Sequence, residues 1–105
     1  MTYAVYAIEK FNKEMAKFSE EEQRRIKIIF LQLKENPYVG DQIWYRHFRE
    51  KRLREKRIYY LIYDDLQTVL VVAISDKKTQ QETINQIVGY FDEYRFYITN
   101  LLKKD

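Results

Sequence analysis

The chain has 105 residues, with 19 Lys and Arg against 16 Asp and Glu, a net charge of +3, a single histidine and no cysteine. That length suits one domain with one hydrophobic core, and 46% apolar with 16% aromatic content excludes an intrinsically disordered chain. The lack of cysteine removes disulfides, thiolate metal sites and cysteine nucleophiles, and the lone His47 argues against a multi-histidine metal centre. The longest apolar run, Val69 to Ile74, is far too short to span a membrane, and Glu9 and Lys10 interrupt any signal-peptide core, so a cytoplasmic protein without a membrane partner is expected.

The opening Tyr3-Ala4-Val5-Tyr6-Ala7 is β-prone and predicts a first strand. Ile8, Phe11, Met15 and Phe18 then recur at helical spacing. Ser19 followed by Glu22 is a capping-box signature for a second helix, whose apolar stripe is Ile26, Ile29, Phe30 and Leu33. Asn36-Pro37 ends it, so the two helices form an antiparallel hairpin. After Gly40 the period changes to two, and residues 43–49, 57–63 and 68–75 predict three consecutive strands. Asp64-Asp65-Leu66-Gln67 supplies the turn between the last two. Ile58, Tyr60 and Ile62 are expected to face the core, with Arg57, Tyr59, Leu61 and Tyr63 on the opposite face; Val69 to Ala73 is expected to be buried on both. Thr79 with Glu82 predicts a second capping box, opening a closing helix with a weak point at Gly89. The fold class is therefore α+β: an N-terminal strand, a two-helix hairpin, a three-stranded antiparallel meander completing one sheet, and a C-terminal helix.

The charge is unevenly spread. Residues 46–57 hold seven Lys or Arg and two Glu, a net of +5, so the rest of the chain nets −2. Concentration on two adjacent strands and their connection is the footprint of a polyanion-binding surface, although edge strands also carry cations merely to block aggregation. Arg52 and Arg54 are expected to point the same way, and Lys77 and Lys78 extend the patch if the end of the last strand lies beside Arg57. Tyr59 and Tyr63 are expected to offer flat surfaces on which unpaired bases stack. His47 by itself reads as a surface or half-buried strand residue. Tyr90, Phe91, Tyr94, Phe96 and Tyr97 wrap more than one face of the last helix, which leaves some exposed for a partner.

The order of elements, Asn36-Pro37 with Gly40-Asp41, Arg54 with Arg57-Ile58-Tyr59-Tyr60, and Asp64-Asp65 together resemble the RelE/ParE toxin superfamily. The stretch Ile74-Ser75-Asp76-Lys77-Lys78-Thr79-Gln80-Gln81-Glu82 is similar to its HigB-like branch. The resemblance spans nearly the whole chain and implies a single RelE/ParE-like toxin domain over residues 1–105. It further implies the toxin of a type II toxin–antitoxin pair, an endoribonuclease that cuts mRNA in the ribosomal A site by attack of a ribose 2′-OH on the adjacent phosphate. It implies no metal and no cofactor.

Carried over residue by residue, the resemblance gives Arg57, Lys78, Arg54 and Arg52 as catalytic candidates. Arg49, Lys51, Lys56, Lys77, Tyr59, Tyr63 and His47 are candidates for holding RNA. The implied partners are the ribosome, mRNA and an antitoxin that folds on binding, in a toxin–antitoxin heterotetramer or beside a homodimer contact. One departure stands out. Where some relatives carry a catalytic tyrosine six residues past Lys78, this chain has Ile84, so acid and base work would fall to Lys51, Lys78, Glu50 or His47. That gap keeps open a ParE-like gyrase inhibitor and a catalytically weak RNA- or ribosome-binding protein.

Overall fold

A computed structural model describes residues 2–104. Strand β1 (Ala4–Ala7) leads into helices α1 (Glu9–Met15) and α2 (Glu20–Glu35), then a 3-10 turn at Pro37–Val39. Strands β2 (Asp41–Ile43), β3 (Tyr45–Leu53), β4 (Lys56–Tyr63) and β5 (Thr68–Ser75) follow, and helices α3 (Gln80–Gly89) and α4 (Phe91–Lys103) close the chain. The five strands form one sheet in the order β1-β5-β4-β3-β2, with β1 parallel to β5 and every other pair antiparallel. No helix among the described residues is long and apolar enough to cross a membrane.

The local signals explain most of these bounds. Ser19 and Glu22 exchange both hydrogen bonds of a capping box at the start of α2. The second expected box does not form. Asp76 Oδ1 instead accepts from both the backbone N–H and the hydroxyl of Thr79, at 3.0 Å each, which orders the turn before α3 and leaves the helix without a side-chain cap. The closing helix is two helices, broken after Gly89. The strand expected from residue 43 is also two, because Trp44 takes a left-handed φ of 59° and turns the chain between β2 and β3.

Alternation along β4 sends Ile58, Tyr60 and Ile62 into a core with Phe11, Ile26, Ile29 and Leu33 of α1 and α2. Tyr59, Leu61 and Tyr63 enter a second core with Ile84, Ile87 and Ile98 of α3 and α4. The expected faces are right, but the second is not open: α3 and α4 cover it. Val69, Leu70, Val71 and Val72 are buried, as a central strand between two helical layers requires.

At one sheet end Asp64 accepts hydrogen bonds from Tyr3 Oη (2.7 Å), Tyr38 Oη (2.5 Å) and Arg46 Nη1 (3.4 Å). The tyrosine hydroxyls, Tyr38 first, hold the Asp64 carboxyl below its ordinary pKa. Burial and the bond to Asp64 push Tyr38 up to about 12. A depressed carboxyl contributes stability above its unfolded-state pKa that is lost as pH falls through the folded value. Asp64→Asn is therefore expected to melt below the parent at neutral pH, with the gap closing as pH falls from about 5 to about 2 in thermal melts.

Candidate functional site

Arg57 and Ser75 are paired across β4 and β5, and Arg52 and Arg57 across β3 and β4. This register places the segment after β5 beside the β3–β4 hairpin. Between them lies an open cleft of about 490 Å³ lined by Arg52, Arg54, Glu55, Arg57, Asp76, Lys77 and Lys78. Five cations and two carboxylates share it. Arg54 sits on the turn, not on the strand beside Arg52 as expected. Its φ is 56°, and its guanidinium reaches Glu21 at the start of α2 at 2.7 Å. Asp76 is held below its ordinary pKa by the Thr79 N–H and hydroxyl, which leaves it a poor proton acceptor.

Arg57 is the buried member, 7% exposed. Its Nε has no hydrogen-bond partner and lies 3.6 Å from Glu50 Oε2, whose side chain is also largely buried. Gln80 Nε2, from the first turn of α3, reaches the same carboxylate oxygen at 3.5 Å. Burial pushes the Glu50 carboxyl above its ordinary pKa, and the Arg57 charge opposes that rise. A carboxylate with raised proton affinity thus stands beside a guanidinium whose N–H is unspent. Beneath them, the Tyr59 hydroxyl and Ser75 Oγ are 2.8 Å apart in a buried hydrogen bond.

The other residues singled out from sequence lie elsewhere. Tyr59 is wholly buried and Tyr63 nearly so beneath α3 and α4, so neither offers a ring to a base; that expectation is corrected. Lys56 pairs with Glu22 at 2.7 Å and lies over the Phe18 ring, on the α2 side of the sheet. Arg49 donates to the carbonyls of Arg46 (3.0 Å) and Gly40 (3.1 Å) and covers the Tyr38 ring. Lys51 lies along α2 beside Ile28 and Gln32. His47 packs its ring 4.9 Å from Phe91, and burial lowers its pKa, so it is neutral near pH 7. The sequence run of seven cations is therefore divided: Arg52, Arg54 and Arg57 join Lys77 and Lys78 at the cleft, while Arg46, bound to Asp64 and Tyr38, and Arg49, Lys51 and Lys56 are spent elsewhere. What the sequence reading missed was the pairing of Glu50 with Arg57 and Gln80. A lone acid on the same strand face as Arg52, opposite a buried tyrosine, was the signal for it.

No protein-family model and no curated protein matches the chain. Solved structures do match. An E. coli toxin RelE double mutant in the free state superposes with a TM-score of 0.68 at 19% identity, covering 83% of this chain and 99% of that one. RelE from the archaeal RelE–RelB complex of Pyrococcus horikoshii OT3 gives 0.67 at 15% identity, over 73% and 97% of the two chains. The Mycobacterium tuberculosis toxin–antitoxin complex RelBE2 gives 0.64 at 17% identity, over 73% and 100%. This is the RelE fold. Identity at this level speaks to the RelE architecture, in which this chain carries its cationic cleft between the β3–β4 hairpin and the start of α3.

Proposed function

We propose that this protein is the toxin of a toxin–antitoxin pair and acts as a metal-independent endoribonuclease on mRNA in the ribosomal A site. The observation that supports it is the convergence of Arg52, Arg54, Arg57, Lys77 and Lys78, from two separated stretches of chain, on one open cleft of a RelE-like fold. In the proposed reaction the 2′-oxygen attacks the adjacent phosphorus, the bond from phosphorus to the 5′-oxygen breaks, and a cyclic phosphate and a 5′-hydroxyl result. The proton leaving the 2′-OH goes to a base and another is delivered to the 5′-oxygen.

Arg57, with an unspent N–H in a dry setting, is assigned to the phosphate oxygens, where negative charge grows. Arg52, Arg54 and Lys77 bind the flanking phosphates. Glu50 is the favoured base, because burial raises its proton affinity, and Lys78 the favoured acid. Arginine holds its proton too tightly to serve as the acid. His47 and Lys51, away from the cleft, are given no part in proton transfer.

The partner reading follows the relatives. The E. coli, P. horikoshii and M. tuberculosis structures include RelE or RelBE complexes with an antitoxin, and this chain is proposed to be held by one of its own. Tyr90, at the junction of α3 and α4, and Phe96 and Tyr97 on α4 are large exposed rings for such a contact. The absence of a tyrosine or histidine from the cleft lining favours a second reading, an RNA- and ribosome-binding protein that cuts slowly or not at all.

Primer extension on cellular mRNA after induced expression tests the proposal. In-frame cuts that vanish when translation initiation is blocked are expected. Intact mRNA with ribosome-bound protein supports the second reading, and intact mRNA with gyrase-linked DNA breaks defeats both.

A further inference from the structure

We propose that Gln80 is a positioning residue for RNA cleavage: its side-chain amide holds Glu50 Oε2 so that Oε1 is presented to the 2′-OH, an inference that rests on the reading of Glu50 as the base. Two groups converge on one oxygen of that carboxylate. Gln80 Nε2 stands 3.5 Å and Arg57 Nε 3.6 Å from Oε2. The Arg57 contact is an ion pair and not a hydrogen bond, since that Nε has no hydrogen-bond partner. Gln80 therefore gives the Glu50 side chain its one hydrogen bond among the described residues, and none of theirs falls on Oε1. Charge and orientation come from different residues. The Arg57 charge acts from any direction, whereas an N–H bond is directional and fixes how the carboxylate is turned. At 3.5 Å the bond is long, as catalytic hydrogen bonds often are before substrate draws them in.

The pattern of α3 points to the same residue. Ile84 and Ile87 are the buried residues of that helix and pack on the sheet. Gln80 lies four places before the first and seven before the second, on the same stripe, where an amphipathic helix would carry another apolar side chain. It is half-buried, and its amide is spent on a carboxylate that is itself largely buried. An uncharged donor suits that place. Burial raises the proton affinity of Glu50; Arg57 lowers it, Asp41 raises it, Arg52 lowers it, and the Gln80 bond lowers it least of all. The Tyr59 hydroxyl, opposite Glu50 on β4, is held neutral by burial. A lysine at position 80 would add a full charge and strip the base of its affinity. An amide turns the carboxylate and leaves most of that affinity in place.

The test uses the full chain with Gln80→Met, which keeps the length and helix propensity and removes the donor, and Gln80→Glu, which keeps the shape and adds a like charge. Carbon-13 NMR follows the Glu50 carboxyl across pH, and single-turnover assays on translating ribosomes follow mRNA cleavage. Gln80→Met is expected to move the Glu50 midpoint upward, and Gln80→Glu to move it further. In Gln80→Met the saturating rate at neutral pH is expected to fall about tenfold, with half-saturation by ribosomes unchanged. The acid limb of its rate–pH curve should rise with the NMR midpoint, which a merely structural loss would not produce. In a Glu50→Gln background, Gln80→Met is expected to cost nothing further, because the two residues act as a unit. An unmoved midpoint, a parental rate in Gln80→Met, or a loss that persists undiminished in the Glu50→Gln background overturns the role of Gln80. A parental rate in Glu50→Gln overturns the base reading beneath it, and the NMR midpoint, which needs no cleavage, tells the two failures apart.

Discussion

Arg57→Ala is expected to lower mRNA cleavage at least 100-fold and to abolish growth arrest on expression, while the protein stays folded. The size follows from the role: losing one fixed donor to a developing oxyanion costs roughly 100- to 1000-fold in rate. Arg57 acts twice, because its charge also opposes the burial that raises the Glu50 pKa. Without it the Glu50 pKa climbs further, and the pH at which a Glu50-dependent rate begins to rise shifts upward. Arg57→Lys keeps the charge and loses the planar fork, so it should recover the pH profile better than the rate. Rates from primer-extension time courses across a pH series check both arms. A parental rate in Arg57→Ala removes this residue from the mechanism.

The largest expected effect on stability lies at Gly40. Its backbone is extended (φ −76°), so handedness is not the constraint; space is. A Cβ there would stand 2.3 Å from Tyr60 Oη and 2.6 Å from the Glu50 carbonyl oxygen. Neither neighbour has room to yield. Tyr60 is fully buried, and its hydroxyl donates to the Pro37 carbonyl (2.6 Å) while accepting from the Gly40 N–H (3.1 Å). The Glu50 backbone is paired between β2 and β4. Gly40→Ala must push β2 away from β3 or break the tyrosine bridge, a cost of about 3 kcal/mol. For a domain of this size that is a fall of roughly 10–20 °C in melting temperature. Gly89→Ala is the control. A Cβ at Gly89 meets nothing within 4 Å, and alanine there should raise stability by about 0.5 kcal/mol.

The two glycines also show what a sequence does and does not reveal. Position 89 was readable as a weak point in a helix, and the helix does break there. Position 40 was readable only as turn chemistry, because the hydroxyl that crowds it comes from twenty residues away. The same contrast runs through the fold. Thr68–Ser75 matched its apolar run, since a central strand is written in consecutive residues. The corner at Trp44 was invisible, because no glycine or asparagine marks that left-handed turn.

At the site, periodicity assigned Tyr59 and Tyr63 to the correct face of β4. Whether that face was open depended on where α3 and α4 came to rest, which no local pattern encodes. The meeting of Lys77 and Lys78 with Arg57 was legible because it needed only antiparallel pairing of adjacent strands. The Glu50–Arg57–Gln80 contact joins three elements, and its meaning comes from burial, which appears only once they pack.

The parallel pairing of β1 with β5 sets a condition on how the protein is made. Ala4 is matched with Thr68, so β1 has no neighbour in the sheet until more than sixty further residues have been added. Long separations between paired residues slow folding. The cleft likewise needs residues on both sides of β5, from Arg52 to Lys78. The cleft is therefore complete only after β5 has paired with β4 and the segment that follows β5 has folded back beside the β3–β4 hairpin.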